Sequence, residues 1–188
     1  MGIRDKYRDK YRVKIGFVPT RRETFSETAF RLDKAAETKK KVEERLTAMQ
    51  VDYVNIDFLN EEGLLYRSRD AEKVAEYLNQ QKVDAIFIAH VNFGCEEAVA
   101  RLASMVRKPV LLWAVRDDAP EPEGYRFRDA QCGVFASSKV LSRFDIPFTY
   151  LTNCYTEDVK FENGIRNFLA AAGVAKAFNA PRIGPVSY

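Results

Sequence analysis

The feature that most constrains this chain is an alternation. Short runs rich in β-branched and aromatic residues take turns with longer segments of helical spacing. Val13–Val18 predicts a first strand, ended by Pro19. From Ser26, which can cap a helix start, to Met49 the apolar positions Phe30, Leu32, Ala36, Val42 and Leu46 roughly follow a helical repeat. Val51–Phe58 alternates as a second strand, and Asp70–Gln81 reads as a helix capped by Ser68 or Asp70. Asp84–His90 is a nearly continuous apolar run, the pattern of a strand buried on both faces. Gly94–Val106 (helix), Pro109–Trp113 (strand), Gln131–Phe144 (helix), Pro147–Leu151 (strand) and Asp158–Phe178 (helix) complete the series. Strands alternating with helices predict a parallel sheet with right-handed crossovers. The expected fold is therefore α/β: a three-layer, doubly wound, flavodoxin-like parallel sheet of about five strands. Residues 13–180 form that domain, 1–12 a basic arm, and 181–188 the start of a following strand or of a next domain.

Charge and composition narrow the function classes. Residues 1–14 hold six basic side chains (Arg4, Lys6, Arg8, Lys10, Arg12, Lys14) against Asp5 and Asp9, while the whole chain is only +3. The body is thus almost neutral, which argues against a nucleic-acid binder with a basic folded face. No run approaches the ~18 apolar residues of a membrane span, and no secretory leader pattern opens the chain. Cys95, Cys132 and Cys154 show no CxxC spacing, and their odd number suits reduced thiols in a cytoplasmic protein.

In a sheet of this kind ligands bind beyond the C-terminal strand ends. The loops selected by that rule begin at Pro19, Asn60, His90, Arg116 and Asn153. Together they present guanidinium groups, carboxylates, amides and aromatic rings, a mixture that suits a polyhydroxylated ligand. Neither GxGxxG nor GxxxxGK[ST] is present, so a nucleotide suits it less. Arg21 and Arg22 can bind a carboxylate, phosphate or vicinal hydroxyls; a salt bridge to Glu23 or to Asp117 and Asp118 is the plainer use. Asp129 and Gln131 flank a helix start facing the cleft. Gly94 and Gly133 can leave backbone N–H groups open, or serve packing alone. Trp113 can stack on a sugar face or fill the core. His90, the only histidine, can act as a base or be satisfied by backbone. The His and Cys spacing matches no zinc motif.

Several segments carry a resemblance. KIGFVPTRRETF, NEEGLLY, DAIFIAHVNFGCEEAVARLA, KPVLLWAVRDDAPEP, RDAQCGVFASSKVLSRFDIPFTY and FNAPRIGPVSY resemble the N-terminal region of the L-fucose isomerase/L-arabinose isomerase-like family, over roughly residues 13–188. The resemblance implies cytoplasmic aldose–ketose isomerisation on a divalent ion, Mn(2+) for the full-length family enzyme, with a carboxylate moving the proton. It also implies that the metal-binding Glu, Asp and His lie in later domains, so that this chain binds no metal and is inactive alone. Carried over, Arg21 or Arg22 contacts sugar hydroxyls, Asn92 and Phe93 line the pocket, and Asp129, Gln131 and Trp113 bound its far wall. The expected partners are an aldose or ketose sugar and further copies of the chain, or a catalytic domain or chain. Alternatives are a stand-alone sugar-binding or regulatory domain, or a small independent enzyme using His90 or Cys95.

Overall fold

The computed structural model describes residues 12–23, 32–120, 122, 124 and 126–179. The basic arm up to residue 11, the predicted helix start at Ser26 and the segment 181–188 lie outside them.

Five parallel strands form one sheet in the order β2-β1-β3-β4-β5. They are β1 (Lys14–Thr20), β2 (Asp52–Val54), β3 (Ala85–His90), β4 (Val110–Val115) and β5 (Phe148–Cys154). The helices are α1 (Leu32–Ala48), α2 (Ala71–Gln80), α3 (Glu96–Val106), α4 (Ala130–Arg143) and α5 (Val159–Phe178). This is the predicted doubly wound α/β fold. β1, β3 and β4 are buried almost throughout, as their continuous apolar runs require.

The two faces of the sheet are packed differently. On one face Trp113, Phe87 and Phe161 form an aromatic cluster, with the Trp113 and Phe161 centroids 5.0 Å apart at 69°. Phe17 joins it through Phe87 at 5.6 Å. All four rings are fully buried, and each contributes roughly 1.5–3 kcal/mol or more by burial. α1 and α5 are tied by Arg45 Nη2 donating to Glu162 Oε2 at 2.6 Å. On the other face a side chain at Gly16 would strike the Leu78 methyls of α2, so the glycine lets that helix sit close.

The boundaries depart from expectation by a residue or more at several elements, and four of the departures have a visible cause. β1 runs through Pro19, because β2 stops pairing at Gly16↔Val54 and the N–H that proline lacks would have no partner strand. The Pro19 carbonyl still accepts from Leu65 N at 2.9 Å. β2 covers only three residues of the predicted Val51–Phe58, because the chain turns away and Asn55 bonds Asp57 instead. α2 is entered through a 3₁₀ turn, Ser68–Asp70, and neither Ser68 nor Asp70 caps it with its side chain. β5 extends to Cys154 past a register shift between Trp113 and Val115. No helix among the described residues is long and apolar enough to cross a membrane.

Candidate functional site

The ends of β1 and β3 meet where the strand order reverses, the point at which open α/β sheets form their crevice. Thr20 closes β1 there. Its hydroxyl donates to the Leu65 carbonyl at 2.7 Å and accepts from Cys95 N at 3.2 Å. Asn92, also fully buried, uses Oδ1 to accept from Arg22 N at 2.8 Å and from Gly94 N at 3.2 Å. These bonds pin the loops after β1 and β3 to one another. Gly94 has φ +80°, and a Cβ there would strike the His90 ring.

The two adjacent arginines point to different places. Arg21 is 6% exposed. Its Nε donates to Glu62 Oε2 at 2.6 Å, its Nη1 to the Arg22 carbonyl at 2.8 Å, and its guanidinium lies 3.6 Å over the Tyr66 ring. It fastens the β1 end to the loop that follows β2. Arg22 is half-buried and turns toward the crevice. Its guanidinium sits 4.9 Å over the Phe93 ring, with Nη1 donating to Glu96 Oε2 at 2.9 Å. Neither is paired with Glu23 or the Asp117–Asp118 loop, the alternative to ligand contact that the sequence left open; the partners are Glu62 and Glu96. A directional donor fork, a carboxylate acceptor and an aromatic face thus share one patch.

A second cluster stands at the start of α4. Asp117 reaches across to accept from Ala130 N at 2.8 Å and Gln131 N at 3.1 Å, so it caps the helix from 13 residues upstream. Asp129 has φ 46° and accepts from Arg126 Nη1 at 3.1 Å. Arg128 is buried and paired with Asp118. Asp117, Arg128, Asp129 and Gln131 line a cavity of about 250 Å³. Gly133 connects the clusters: a Cβ there would overlap the Phe93 carbonyl oxygen, so the glycine is a packing requirement. It brings α4 against the loop that carries Asn92 and Phe93. Trp113 belongs to neither cluster. It is fully buried in the aromatic core and donates to Cys154 Sγ at 3.4 Å, leaving no ring face for a ligand.

Burial disarms the candidate bases and nucleophiles. The Phe93 carbonyl can only accept, so His90 Nδ1, 2.9 Å away, carries the ring proton. Desolvation lowers the His90 pKa to about 4, which keeps the ring neutral. Burial also raises the pKa values of Cys95 and Cys154, leaving them as thiols at neutral pH. Among the described residues no three His, Cys, Asp or Glu side chains are grouped to hold a metal ion.

The fold and crevice define the class: a doubly wound α/β domain with a polar, aromatic-floored loop site. A sequence model of the fucose/sulfoquinovose isomerase N-terminal domain matches residues 16–179, and the chain belongs to that family. No curated protein matches it. Among solved structures it is similar to an ABC transporter solute-binding protein from Mycobacterium smegmatis, with bound glycerol. That pair shares 12% identity at a TM-score of 0.29, over 85% of this chain and 62% of the other. So loose a likeness bears on neither ligand nor activity.

Sequence reasoning missed Glu96, Glu62 and Tyr66. Glu96 carried a usable signal, since the first turn of a helix that follows a strand end faces the crevice. Glu62 and Tyr66 gave none, because their roles depend on how a turn folds back over Arg21.

Proposed function

We propose that this chain supplies substrate contacts to a cytoplasmic aldose–ketose isomerase and does not itself carry the chemical step. The observation behind the reading is the Arg22 patch. Its guanidinium is fixed over Phe93, beside Glu96, while Asn92 holds its backbone. A sugar offers vicinal hydroxyls to a donor fork and a carboxylate, and C–H groups to an aromatic face. Asn92 shapes that patch from below. Asp129 and Gln131 extend the wall toward the 250 Å³ cavity.

Isomerisation moves a proton between neighbouring carbons. Neutral, buried His90 and the protonated Cys95 thiol are poorly suited to that task. The donor set of the described residues does not fit the manganese of the expected isomerase either, since no three His, Cys, Asp or Glu side chains among them are grouped. In this reading the metal and the proton-moving carboxylate belong to another part of the enzyme, or to a partner chain. Association with that part, or with further copies of this chain, completes the site.

The test is calorimetric titration of the purified chain with L-fucose and with sulfoquinovose, beside Arg22→Ala and Arg21→Ala. The expected result is weak saturable binding of one sugar. Arg22→Ala weakens it about tenfold, as loss of a charge-assisted contact would. Arg21→Ala chiefly lowers stability. The absence of heat with both sugars, or full affinity in Arg22→Ala, overturns the reading. Turnover of either sugar by the chain alone overturns the part concerning catalysis.

A further inference from the structure

The two edges of the sheet are defended differently. β2 is three residues long and opens on Asp52, which lies 3.9 Å from Arg12 in an ion pair. Shortness and charge both discourage a further strand. β5 is seven residues long, and it contains neither a charged residue nor a proline. Thr149, Tyr150 and Thr152 are exposed along it, and among the described residues no strand lies on its outer side. We propose that this edge is the interface for a second copy of the chain, joined by antiparallel pairing of β5 with β5 about a two-fold axis.

The strand is its own complement. A two-fold contact sets the same patch against itself, so its side chains must tolerate one another across the axis. Centring the axis on Leu151 is the one register that pairs all seven residues of β5. Thr149 then meets Asn153 of the second copy, and Tyr150 meets its Thr152. An aromatic ring opposite a β-branched residue is a favourable cross-strand neighbour. No like charges face each other along the strand, because it has none.

The helices beside β5 extend the apolar surface. Among the described residues nine large hydrophobic side chains are exposed. Six of them belong to α4, β5, α5 or the turns between: Phe135, Phe144, Tyr150, Val159, Val174 and Phe178. Gly133 faces the Phe93 loop, so Phe135, roughly 200° further round α4, looks away from α3. Glu162 faces α1 through Arg45, so Ala171, Val174 and Phe178 fall on the side of α5 turned from α1. Phe135, Tyr150 and Phe178 are 52%, 42% and 76% exposed. At roughly 150–250 Å² per aromatic side chain, they offer roughly 350 Å² in each copy. Specific dimers begin near ~600 Å² per copy, toward which the strand edge, Ala171 and Val174 also contribute.

Those borders also decide what kind of partner fits. A two-fold axis through β5 sets α4 beside α4 and α5 beside α5, so both faces are covered together with the strand. A lone peptide strand would satisfy the backbone and leave the helix borders in water. In such a dimer the strands of the two copies run in opposite directions. Their crevices therefore open at opposite ends, and neither is completed by the other. The inference stands on the sheet edge and not on the sugar reading.

Sedimentation equilibrium of the full chain, from micromolar to millimolar concentration, measures the association. Two double variants test the register. Tyr150→Lys/Thr152→Lys sets like charges opposite each other at both Tyr150–Thr152 pairs, whereas Tyr150→Lys/Thr152→Glu sets opposite charges there. Both positions are exposed, and circular dichroism checks that each variant is folded. The expected result is a wild-type dimer, association at least about tenfold weaker in the Lys/Lys variant, and recovery in the Lys/Glu variant. Amide exchange over residues 148–154 slows as the wild-type concentration rises. A wild type that stays monomeric, unchanged association in the Lys/Lys variant, or equal losses in both variants overturns the proposal. Sugar binding at the Arg22 patch is the same in all three proteins, which keeps the two readings separable.

Discussion

The crevice between β1 and β3 and the mouth above β4 are both polar, but they are held in different ways. In the crevice, fully buried Thr20 and Asn92 make bonds that join residues 70 to 75 positions apart. At the mouth, the partners lie within 14 positions of each other along one loop and the helix it enters. The Arg22 patch is therefore oriented by the assembled core. The Asp129–Gln131 wall is oriented by local chain geometry, through the Asp117 cap. A ligand that needs angular precision is better served by the crevice. A wall that must adapt is better served by the mouth.

Four experiments sharpen or break this contrast. Gly133→Ala carries the largest effect, because the clash is with backbone where α4 meets the loop of the other region. A loss of more than about 3 kcal/mol in urea unfolding is expected; an unchanged midpoint would show that the regions are not rigidly joined.

His90 comes next. Its folded pKa of about 4 lies below the unfolded value near 6.5, so the unfolded chain binds the extra proton between them. Its contribution is complete above about pH 6.5, declines as pH falls toward 4, and amounts to up to about 3 kcal/mol. Unfolding midpoints measured from pH 7 to 5 should slope for the wild type and flatten in His90→Asn. Parallel profiles would contradict the burial argument.

Asn92→Ala removes the acceptor for two backbone N–H groups. About 2 kcal/mol should be lost, with faster amide exchange at Arg22 and Gly94. Exchange unchanged at both would mean that the crevice is not built on this side chain. Asp117→Ala should cost only about 1 kcal/mol, as the loss of a helix cap does, with fraying confined to the first turn of α4. Exchange changes spreading to the β1–β3 loops would break the distinction between the two regions.

Much of the fold is legible in the residues. Ala85–His90 and Val110–Val115 are apolar runs that solvent would penalise on either face, so central parallel strands follow. The edges are less legible. Among the described residues, β2 and β5 each have a side without a partner strand, so pairing constrains them less, and their ends fall where turns or a register shift dictate. For the candidate site, the loops after β1 and β3 were readable from the strand-end rule. The roles within them were not. Arg21 and Arg22 have the same chemistry in adjacent positions, and only the turn that brings Tyr66 and Glu62 over β1 turns one inward. Trp113 looks equally suited to a sugar face or a core until Phe87 and Phe161 close around it.

The sequence by itself determined the α/β class, the parallel sheet and the family, because apolar periodicity and loop motifs are properties of neighbouring residues. Only the tertiary structure decided which arginine faces the crevice, why position 133 must be glycine, and why His90 stays neutral. Those outcomes depend on desolvation and on contacts between segments far apart in the chain, and neither exists until the sheet has assembled.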